Sequence, residues 1–491
     1  MIQYPYMDLS SIHNFQDAVV TVMGLGRYKR GSGMGATKWL VRHGAQTVIT
    51  DLKNADELQE SVSMIMDWYR RYRELYPDRT LYQPVFVLGE HRKDDFVGVD
   101  CVVQNPGVPS ASEFIVAAKA EHVPIESDVS LFFRFYQYPV IAVTGTKGKT
   151  TTTLLLGEMM KRLDEKTVIA GNIKVSPLEH LDELIEEPGA IPVVLELSSW
   201  MLESLPQTFI DLARGPAIAI LTNVYPDHLD RYPSFEAYIA SKRIIFEHQT
   251  PDQYTVLNAD HDLVRGMAPA VKGQLFWFSS TPRDENGCYI KNGNVVFLNH
   301  TVETIVISVA DVALKGDHNI ENILSATCAA MLAGVAVADV ADVLRHFEGV
   351  ADRQEMVREV DEITYINDTA ATAPDAVVAA LRRFGGAQKN LVLIAGGVNK
   401  KLAYEALGEE IVKACKAVFL FPGDASDLLA AAMNNRIPVT LVKNMKEAVQ
   451  GARAVAARGD TVILSPGAAS FNIFRNEFER GEQFREEVRN L

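Results

Sequence analysis

The sequence predicts an α/β protein with mostly parallel sheets in three domains. Its length of 491 residues suggests about three domains, since a domain usually holds roughly 100–200 residues. Two apolar, β-prone runs each end in a glycine-rich turn that precedes a helical pattern, and in the last third such runs alternate with helical segments. Alternating strands and helices are typical of parallel sheets. We expect the domains to span residues 1–137, 138–348 and 349–491.

The composition argues against several classes of protein. Hydrophobic residues make up 47% and charged residues 23%, as in a globular protein, and the formal net charge of -15 disfavours nucleic acid or an anionic membrane as a partner. The four cysteines include no CxxC pair, so neither a zinc site nor a disulfide framework is indicated. The chain shows no basic-then-apolar leader and no run of about 18 apolar residues. Small-molecule partners and a cytoplasmic location are therefore expected.

The first domain opens with a strand, a glycine-rich turn, a helix and a second strand. We expect strands at residues 18–23 and 46–50 and a helix at 36–43. An acidic residue at the tip of the second strand indicates a Rossmann-like nucleotide site, in which the ligand lies beyond the carboxyl ends of the strands. The expected ligand contacts are Gly24, Leu25, Gly26, Arg27 and Asp51.

The ligand of this turn is better described as a diphosphate than as a nicotinamide dinucleotide. Lys29 stands where the strict dinucleotide fingerprint requires glycine. The basic residues Arg27, Lys29 and Arg30 favour a diphosphate that is held by charge as well as by backbone groups. A solvated basic turn is the alternative interpretation.

A second candidate loop of the first domain follows the strand expected at residues 99–104. Asn105 and Gly107 belong to an Asn-Pro-Gly turn beyond the carboxyl end of that strand, where ligands bind in open α/β sheets. An ordinary Pro-Gly turn explains this stretch equally well.

The second domain begins with the motif on which the functional interpretation depends. A strand expected at residues 139–143 leads into Thr-Gly-Thr-Lys-Gly-Lys-Thr-Thr, and a helix is expected at 152–163. Such a turn lets the backbone approach a polyphosphate, with Lys149 reaching the β/γ-phosphates and the Thr150 hydroxyl reaching Mg²⁺. The expected ATP contacts are Gly145, Thr146, Lys147, Gly148, Lys149, Thr150 and Thr151.

Glu196 is the strongest candidate metal ligand in this domain. It lies in the apolar strand expected at residues 193–197, and a carboxylate is costly to bury unless it is paired or bound to metal. Mg²⁺ prefers a few carboxylates with phosphate oxygens, so Glu196 suits a metal beside the phosphate loop. Taken alone, His228 and Lys242 are better explained as a structural histidine and a solvated helix lysine. Asn172, Asn319 and Asn322 taken alone are turn residues.

The last third indicates a second parallel α/β domain. Strands are expected at residues 364–366, 390–395, 417–421, 438–442 and 461–464. Three polar loops, at 367–372, 396–400 and 465–471, follow three of these strands and should lie at one edge of the sheet.

In this order the motifs resemble those of the Mur ligase family. The matching motifs are Gly-Thr-x-Gly-Lys-Thr in the phosphate loop, Glu-Leu-Ser-Ser-aromatic at residues 196–200, and the ten residues 223–232 around His228. The resemblance covers nearly the whole chain. It implies a Rossmann-like N-terminal domain for a UDP-sugar, a central P-loop ATPase domain with a mostly parallel sheet, and a Rossmann-like C-terminal domain for an amino acid.

The resemblance also implies a reaction. A monomeric cytoplasmic ligase would join D-glutamate to UDP-N-acetylmuramoyl-L-alanine through an acyl phosphate, with ATP cleaved to ADP and phosphate, in peptidoglycan precursor synthesis. Two Mg²⁺ ions would be held by Thr150, Glu196, His228 and Lys242, the last as N6-carboxylysine, and Asn172 would contact the UDP-sugar. Further ATP contacts would be Asn319, Asn322, Arg353 and Asp368, and the glutamate contacts Thr372, Lys400, Ser470 and Phe471.

The chain departs from the family pattern at three positions, and two of them leave the acceptor open. Ala370 replaces a usual lysine, Glu477 a common aromatic, and Lys147 the usual asparagine of the phosphate loop. The first two lie near the expected amino-acid site, so L-glutamate or another acceptor remains an alternative to D-glutamate. An inactive nucleotide-binding regulator is the alternative from another class. The Asp-Asn-Pro-Arg string of the meso-diaminopimelate ligases is absent, and the Rossmann-like first domain disfavours a folylpolyglutamate synthetase.

Overall fold

The structure is a computed structural model that describes residues 15–491 apart from ten positions. Those positions are Arg27, Pro188, Ala190, Leu229, Asp230, Ala387, Lys400, Lys401, Phe471 and Asn472. The chain forms two compact units, the first ending at Phe347 and the second running Glu348–Leu491. Three sheets, two in the first unit and one in the second, confirm the predicted α/β class with mostly parallel strands. In the described part of the chain, no helix is long and apolar enough to cross a membrane.

The first sheet has a Rossmann-like strand order. Its strands are β1 Val19–Met23, β2 Gln46–Asp51, β3 Val85–Leu88, β4 Cys101–Gln104 and β5 Ile125–Glu126. They are parallel and lie in the order β3-β2-β1-β4-β5. Its helices are α1 Ser32–Arg42, α2 Ala55–Leu75, α3 Glu113–Ala120 and α4 Asp128–Phe135. The order reverses between β1 and β4, so the turns after these two strands flank the crevice in which such sheets bind ligands.

The second sheet places the phosphate-loop strand among parallel neighbours. Its strands are β6 Ile141–Thr144, β7 Val168–Gly171, β8 Val193–Glu196, β9 Ile218–Leu221, β10 Tyr254–Asn258, β11 Gln274–Ser279, β12 Gly287–Lys291, β13 Asn294–Asn299 and β14 Val302–Ser308. The order is β14-β13-β12-β11-β10-β9-β6-β8-β7; the pairs β12–β13 and β13–β14 are antiparallel, and the other pairs are parallel. Because β8 and β9 flank β6, the loops after all three strands meet at one edge of the sheet.

Eight helices of the described chain accompany this second sheet. They are α5 Lys149–Met160, α6 Leu181–Glu186, α7 Ser199–Leu202, α8 Pro206–Leu212, α9 Phe235–Glu247, α10 Asp262–Arg265, α11 Asp317–Leu332 and α12 Val337–His346. Contacts between α1 and the second sheet's segments join the two sheets: the Trp39 indole donates to Asp182 at 3.0 Å, and Lys38 Nζ lies 3.0 Å from Glu179 Oε1. The first unit is therefore a single packed body.

The second unit has a six-stranded sheet in the order β15-β16-β20-β17-β18-β19. Its strands are β15 Glu355–Val360, β16 Ile363–Asn367, β17 Leu391–Gly396, β18 Cys415–Phe421, β19 Val439–Leu441 and β20 Thr461–Leu464. Its helices are α13 Pro374–Phe384, α14 Glu405–Ala414, α15 Asp424–Met433, α16 Met445–Val455 and α17 Glu477–Arg489. Only β15 is antiparallel. The central strands β16, β20 and β17 are neighbours, so the three polar loops after them lie together as expected.

Helices α1 and α5 begin earlier than the sequence predicted, and α5 begins at Lys149 and not at residue 152. The helix expected at residues 36–43 begins at Ser32, and its first turn includes Gly33. A Cβ at Gly33 would come 2.3 Å from the Gly24 carbonyl oxygen, so this glycine permits close packing of α1 on the preceding turn. Asn319 and Asn322 taken alone indicated a turn, but α11 begins at Asp317, directly after Gly316, whose φ is +105°. Asn319 and Asn322 therefore lie on the helix itself and not on a turn before it.

Candidate active site

The phosphate loop is fastened to the end of β9. The Thr146 N–H donates to the Asn223 carbonyl at 2.9 Å, and the Lys147 N–H donates to Asn223 Oδ1 at 2.8 Å. The Thr222 hydroxyl donates to the Lys147 carbonyl at 2.7 Å. A Cβ at Gly145 would come 1.9 Å from Thr222 Oγ1, so only glycine fits there. The loop conformation is thus held by a neighbouring strand before any ligand binds.

The start of α5 supplies the groups that can hold an anion. Gly148 has a φ of +81°, and the helix begins at Lys149 with Thr150 and Thr151 in its first turn. The N–H groups of a first turn have no intrahelical partners and attract anions. Lys149 Nζ donates to the carbonyls of Gly145 and Thr146, both at 3.0 Å. Its ammonium therefore lies over the loop in which a polyphosphate would sit.

The paired asparagines of α11 lie against the same helix start. The Asn322 side chain donates to Asn319 Oδ1 at 3.0 Å and accepts a hydrogen bond from the Thr152 hydroxyl at 3.3 Å. A Cβ at Gly148 would meet Asn322 Oδ1 at 2.2 Å. Both asparagines are buried. The structure therefore brings Asn319 and Asn322 to the phosphate loop, although they are far from it in sequence.

Glu196 presents a buried carboxylate with one oxygen unpaired. The residue is 1% exposed, and its Oε1 accepts a hydrogen bond from the Asn172 side chain at 2.7 Å. Its Oε2 is buried without a hydrogen-bond partner. Glu196 ends β8, next to β6 with Val143 as its register partner. A buried unpaired carboxylate oxygen is costly, and a cation would compensate for it.

Lys242 is a buried amine beside the phosphate loop. It is 1% exposed on α9, and its Nζ donates to the Gly145 carbonyl at 2.7 Å. Burial is the main cause that lowers the pKa of Lys242 well below its ordinary value, and the Lys149 charge adds to it, while Asp227 and Glu196 act in the opposite direction. The solvated helix lysine that the residue alone suggests is therefore wrong. A depressed pKa favours the neutral amine.

His228 lies at the rim of this site in a strained backbone conformation. Its φ is +54°, a left-handed value that is uncommon outside glycine. Its ring is tilted on Trp200 with centroids 4.9 Å apart, and its N–H donates to Asp227 Oδ1 at 3.0 Å. The side chain is about two-fifths exposed. The adjacent Leu229 and Asp230 lie outside the described residues.

In the first sheet, Asp51 accepts hydrogen bonds from backbone N–H groups of the glycine-rich turn after β1. Its Oδ2 accepts hydrogen bonds from the Leu25 N–H at 3.0 Å and the Gly26 N–H at 3.4 Å. These two donors face the carboxylate, so a diphosphate at this turn must be held by other groups. Lys29 is exposed, with Nζ 3.7 Å from Glu60 Oε1, while predicted Arg27 lies outside the described residues.

The Asn105 loop lies against this turn, across the reversal of strand order. The Asn105 side chain donates to the Gly24 carbonyl at 3.1 Å, and its Oδ1 accepts from the Gly107 N–H at 3.0 Å. A Cβ at Gly24, whose φ is +92°, would come 2.9 Å from Asn105 Cβ. The predicted substrate residues after β1 and β4 are thus adjacent in the structure.

In the second unit the three polar loops touch one another. The Ser465 hydroxyl donates to Asp368 Oδ2 at 2.7 Å, and the Gly467 N–H donates to the Ala371 carbonyl at 2.8 Å. Val398 forms an isolated antiparallel bridge with Ala469. This contact set confirms the expectation that the loops after β16, β17 and β20 share one sheet edge.

The three polar loops of the second unit include one buried hydroxyl without a hydrogen-bond partner. Ser470 is 2% exposed, and its Oγ has no hydrogen bond. Thr372 is half-buried in the loop after β16, and Arg353 is exposed. Predicted Lys400 and Phe471 lie outside the described residues. Where Ala370 and Glu477 depart from the family pattern, sequence reasoning missed a nearby buried cation, Arg480, which has no signal in spacing or periodicity.

Arg480 fixes two of these loops. Its Nε donates to Thr369 Oγ1 and its Nη2 to the Thr369 carbonyl, both at 2.9 Å, and its Nη1 donates to the Ala468 carbonyl at 3.3 Å. Burial lowers the pKa of Arg480 to about 10, against a smaller opposing effect of the Glu477 charge. The guanidinium therefore ties the loop after β16 to the loop after β20.

The carboxyl group of Asp368 is buried in the folded protein. Burial raises the pKa of Asp368 from its ordinary 3.8 to about 7, although hydrogen bonds from the Ser465 hydroxyl and the Gln354 N–H favour the carboxylate. Because the folded state binds this proton more tightly than the unfolded chain, its stabilising contribution is complete below about pH 4 and is lost as the pH rises through about 7.

The variant Asp368→Asn should therefore have a pH-dependent effect on stability. Asparagine cannot ionise, so the free energy of unfolding of the variant, relative to the wild type, should increase as the pH rises from about 4 to about 8. Urea unfolding of the ligand-free proteins at several pH values measures this difference. A difference that stays constant across the range would contradict the raised pKa.

No cluster of three or more His, Cys, Asp or Glu side chains suited to a metal ion occurs among the residues that the structure describes. The principal candidate metal ligands are instead a carboxylate and a lysine amine. Glu196 has an unpaired buried oxygen, and Lys242 is positioned at the phosphate loop with a depressed pKa. This set fits a metal once the lysine amine has been converted into an anionic ligand.

A phosphate loop on a mostly parallel sheet, preceded by a Rossmann-like sheet and followed by a second α/β unit, defines a multidomain P-loop nucleotide-binding protein. Residues 143–330 match the Mur ligase middle domain, and residues 352–468 match the Mur ligase, glutamate ligase domain. The chain belongs to the Mur ligase family.

The chain is similar to known proteins over nearly the whole length of both partners in each comparison. The UDP-N-acetylmuramoylalanine--D-glutamate ligase of Roseiflexus sp. (strain RS-1) is 42% identical, with 94% of this chain and 97% of the relative covered. The same-named protein of Acidobacterium capsulatum is 33% identical, with 96% and 95% covered. Among solved structures, UDP-N-acetylmuramate-alanine ligase from Thermotoga maritima has a TM-score of 0.57 at 20% identity, with 96% and 99% covered. The MurF ligase from the same organism, in complex with ADP, has a TM-score of 0.56 at 17% identity, with 98% and 99% covered.

Proposed function

We propose that this protein is an ATP-dependent ligase that joins D-glutamate to UDP-N-acetylmuramoyl-L-alanine in peptidoglycan precursor synthesis. The principal structural support is the set of ionisable groups around the phosphate loop: Lys149 and Lys242 both donate to the Gly145 carbonyl, and Glu196 lies on the neighbouring strand. The names of the similar relatives support the choice of substrates. Family membership and the phosphate loop support ATP use.

The proposed reaction has two steps. A carboxylate oxygen of the UDP-sugar substrate attacks the γ-phosphorus of ATP, which forms an acyl phosphate and releases ADP. The amine of glutamate then attacks the acyl carbon, so that the amide bond forms, the C–O bond to phosphate breaks, and the amine proton is released. Lys149 and the first-turn N–H groups of α5 hold the phosphates in line and neutralise charge that develops on them.

We assign two Mg²⁺ sites to Thr150, Glu196, His228 and a carbamylated Lys242. Mg²⁺ supplies charge neutralisation of the phosphoryl group when it is bound. The neutral Lys242 amine, favoured by burial, can attack CO₂, which forms a carbamate and releases one proton. This converts a cation into an oxygen ligand, which an ammonium cannot be. The unpaired Glu196 oxygen supports the same assignment.

The other site residues keep the roles that the family resemblance implies. Asn319, Asn322, Arg353 and Asp368 are assigned to ATP. The UDP-sugar is assigned to Gly24, Leu25, Gly26, Arg27, Asp51, Asn105, Gly107 and Asn172, and glutamate to Thr372, Lys400, Ser470 and Phe471. The domains proposed for these ligands are residues 1–137, 138–348 and 349–491. A monomer in the cytoplasm, without a nucleic-acid or membrane partner, completes the proposal.

Phosphate release tests both the reaction and the acceptor. With ATP, Mg²⁺ and UDP-N-acetylmuramoyl-L-alanine, we expect release with D-glutamate and little with L-glutamate, D-aspartate or L-lysine. Turnover only with L-glutamate would overturn the handedness of the acceptor, and turnover only with L-lysine would overturn its class. Absence of release with every acceptor would support the inactive regulator instead.

A further inference from the structure

We propose that Arg231 is a positioning residue that holds the loop 105–108 at a fixed place beside the phosphate loop. This proposal rests on the proposed function, because it concerns how the UDP-sugar carboxylate is aligned with the γ-phosphate. The proposal is based on the contacts of Arg231 with two parts of the first unit: the loop after β4 in the first sheet and the segment after β8 in the second.

Arg231 holds the loop after β4 through its carbonyl groups. Its Nη2 donates to the Pro106 carbonyl at 3.1 Å and to the Val108 carbonyl at 3.4 Å, while its Nη1 donates to the Gly107 carbonyl at 3.4 Å. The side chain is only 16% exposed. A planar guanidinium can serve three carbonyls of one turn at once, whereas a lysine ammonium is a point charge on a flexible stem.

The other side of the Arg231 guanidinium contacts the segment that follows β8 in the second sheet. Arg231 Cζ lies 4.1 Å from the centroid of the Trp200 ring, a cation–π contact, and its Nη2 lies 4.0 Å from Glu203 Oε2. Trp200 comes shortly after Glu196 at the start of α7. The loop 105–108 is thus fixed relative to the strand end that presents Glu196.

The same tryptophan also supports the rim of the phosphate site. The His228 ring packs on Trp200 on one side, and its centroid is 6.3 Å from that of Tyr238. The Tyr238 hydroxyl lies 3.1 Å from Thr146 Oγ1 in the phosphate loop. A continuous series of contacts therefore connects the loop 105–108 with the phosphate loop. Arg231 is the member of this series that contacts the first sheet.

Loss of the Arg231 contacts should affect the reaction more than the binding of ATP. The contacts of Arg231 described above are to carbonyls of the loop 105–108, to Trp200 and to Glu203, so nucleotide affinity should remain. A reacting group displaced by about 1 Å can lose on the order of a hundredfold in rate. We therefore expect Arg231→Met to lower kcat on the order of a hundredfold, and Arg231→Lys to recover only a small part of it.

The experiment measures phosphate release with saturating ATP, UDP-N-acetylmuramoyl-L-alanine and D-glutamate, calorimetric affinity for a nonhydrolysable ATP analogue, and thermal unfolding. Trp200→Leu, which removes the aromatic support, should reproduce the loss of kcat. The matched control is Arg79→Met. Arg79 also makes a cation–π contact, 5.0 Å from the Tyr76 ring, but in the segment that follows α2. It should leave all three measurements unchanged.

The outcomes separate the proposal from its basis. A kcat within about threefold of the wild type in both Arg231 variants would overturn the positioning role. A fall in kcat that is matched by equal losses of ATP-analogue affinity and thermal stability would also overturn it, since that pattern indicates a merely structural residue. Absence of phosphate release by the wild type would refute the proposed function and, with it, the role of Arg231.

Discussion

Lys242→Ala is expected to abolish nearly all turnover and to regain activity when short-chain carboxylates are added. The alanine variant loses the buried group beside Gly145 that, as a carbamate, would provide an oxygen ligand. Formate or acetate can enter the vacated space and supply a carboxylate in its place. The measurement is phosphate release with and without added carboxylate. The loss should be on the order of a hundredfold or more, because charge stabilisation of the phosphoryl group is the main catalytic contribution.

The control for this prediction is a lysine of the same domain that faces solvent. Lys161, which follows α5, is paired with Glu158 and is about two-fifths exposed. Lys161→Ala should retain wild-type turnover and should not respond to carboxylates. Full activity of Lys242→Ala without rescue would show that the residue is not a ligand.

Lys149→Ala is expected to lower turnover on the order of a hundredfold or more while the fold survives. Lys149 lies at the first position of α5 with its ammonium over the carbonyls of Gly145 and Thr146. The loop conformation does not depend on that ammonium, because Asn223 and Thr222 hold it from β9. Phosphate release and far-ultraviolet circular dichroism measure the two parts of the expectation. Near-normal release by the variant would remove the central assignment of the site.

The sequence predicted the features that depend on local pattern. The apolar run before the phosphate loop corresponds to β6. The acidic residue expected at the tip of the second strand is Asp51, the last residue of β2. Strand-end loops converge in a parallel sheet whatever their side chains, so the meeting of the three polar loops in the second unit could also be expected.

The remaining features depend on long-range packing, which a pattern does not encode. Strands β10–β14 were not assigned, because an apolar run alone does not show with which strand it pairs. The role of Asn223 in fixing the phosphate loop depends on β9 lying next to β6, far away in sequence. The burial of Lys242 likewise depends on where α9 packs, and a lysine in an isolated helix pattern looks solvated. The Gly33 contact with Gly24 is of the same kind.

The Asp51 carboxylate has a consequence for selectivity in the cell. Nicotinamide and flavin dinucleotides are held by Rossmann sheets through outward-facing backbone N–H groups after the first strand. Here Leu25 and Gly26 direct theirs to Asp51, so neither N–H is available to the diphosphate of a dinucleotide or of a UDP-sugar. A redox cofactor therefore loses the contacts that fix it in such folds, whereas a ligand held from the side of Asn105 does not depend on them.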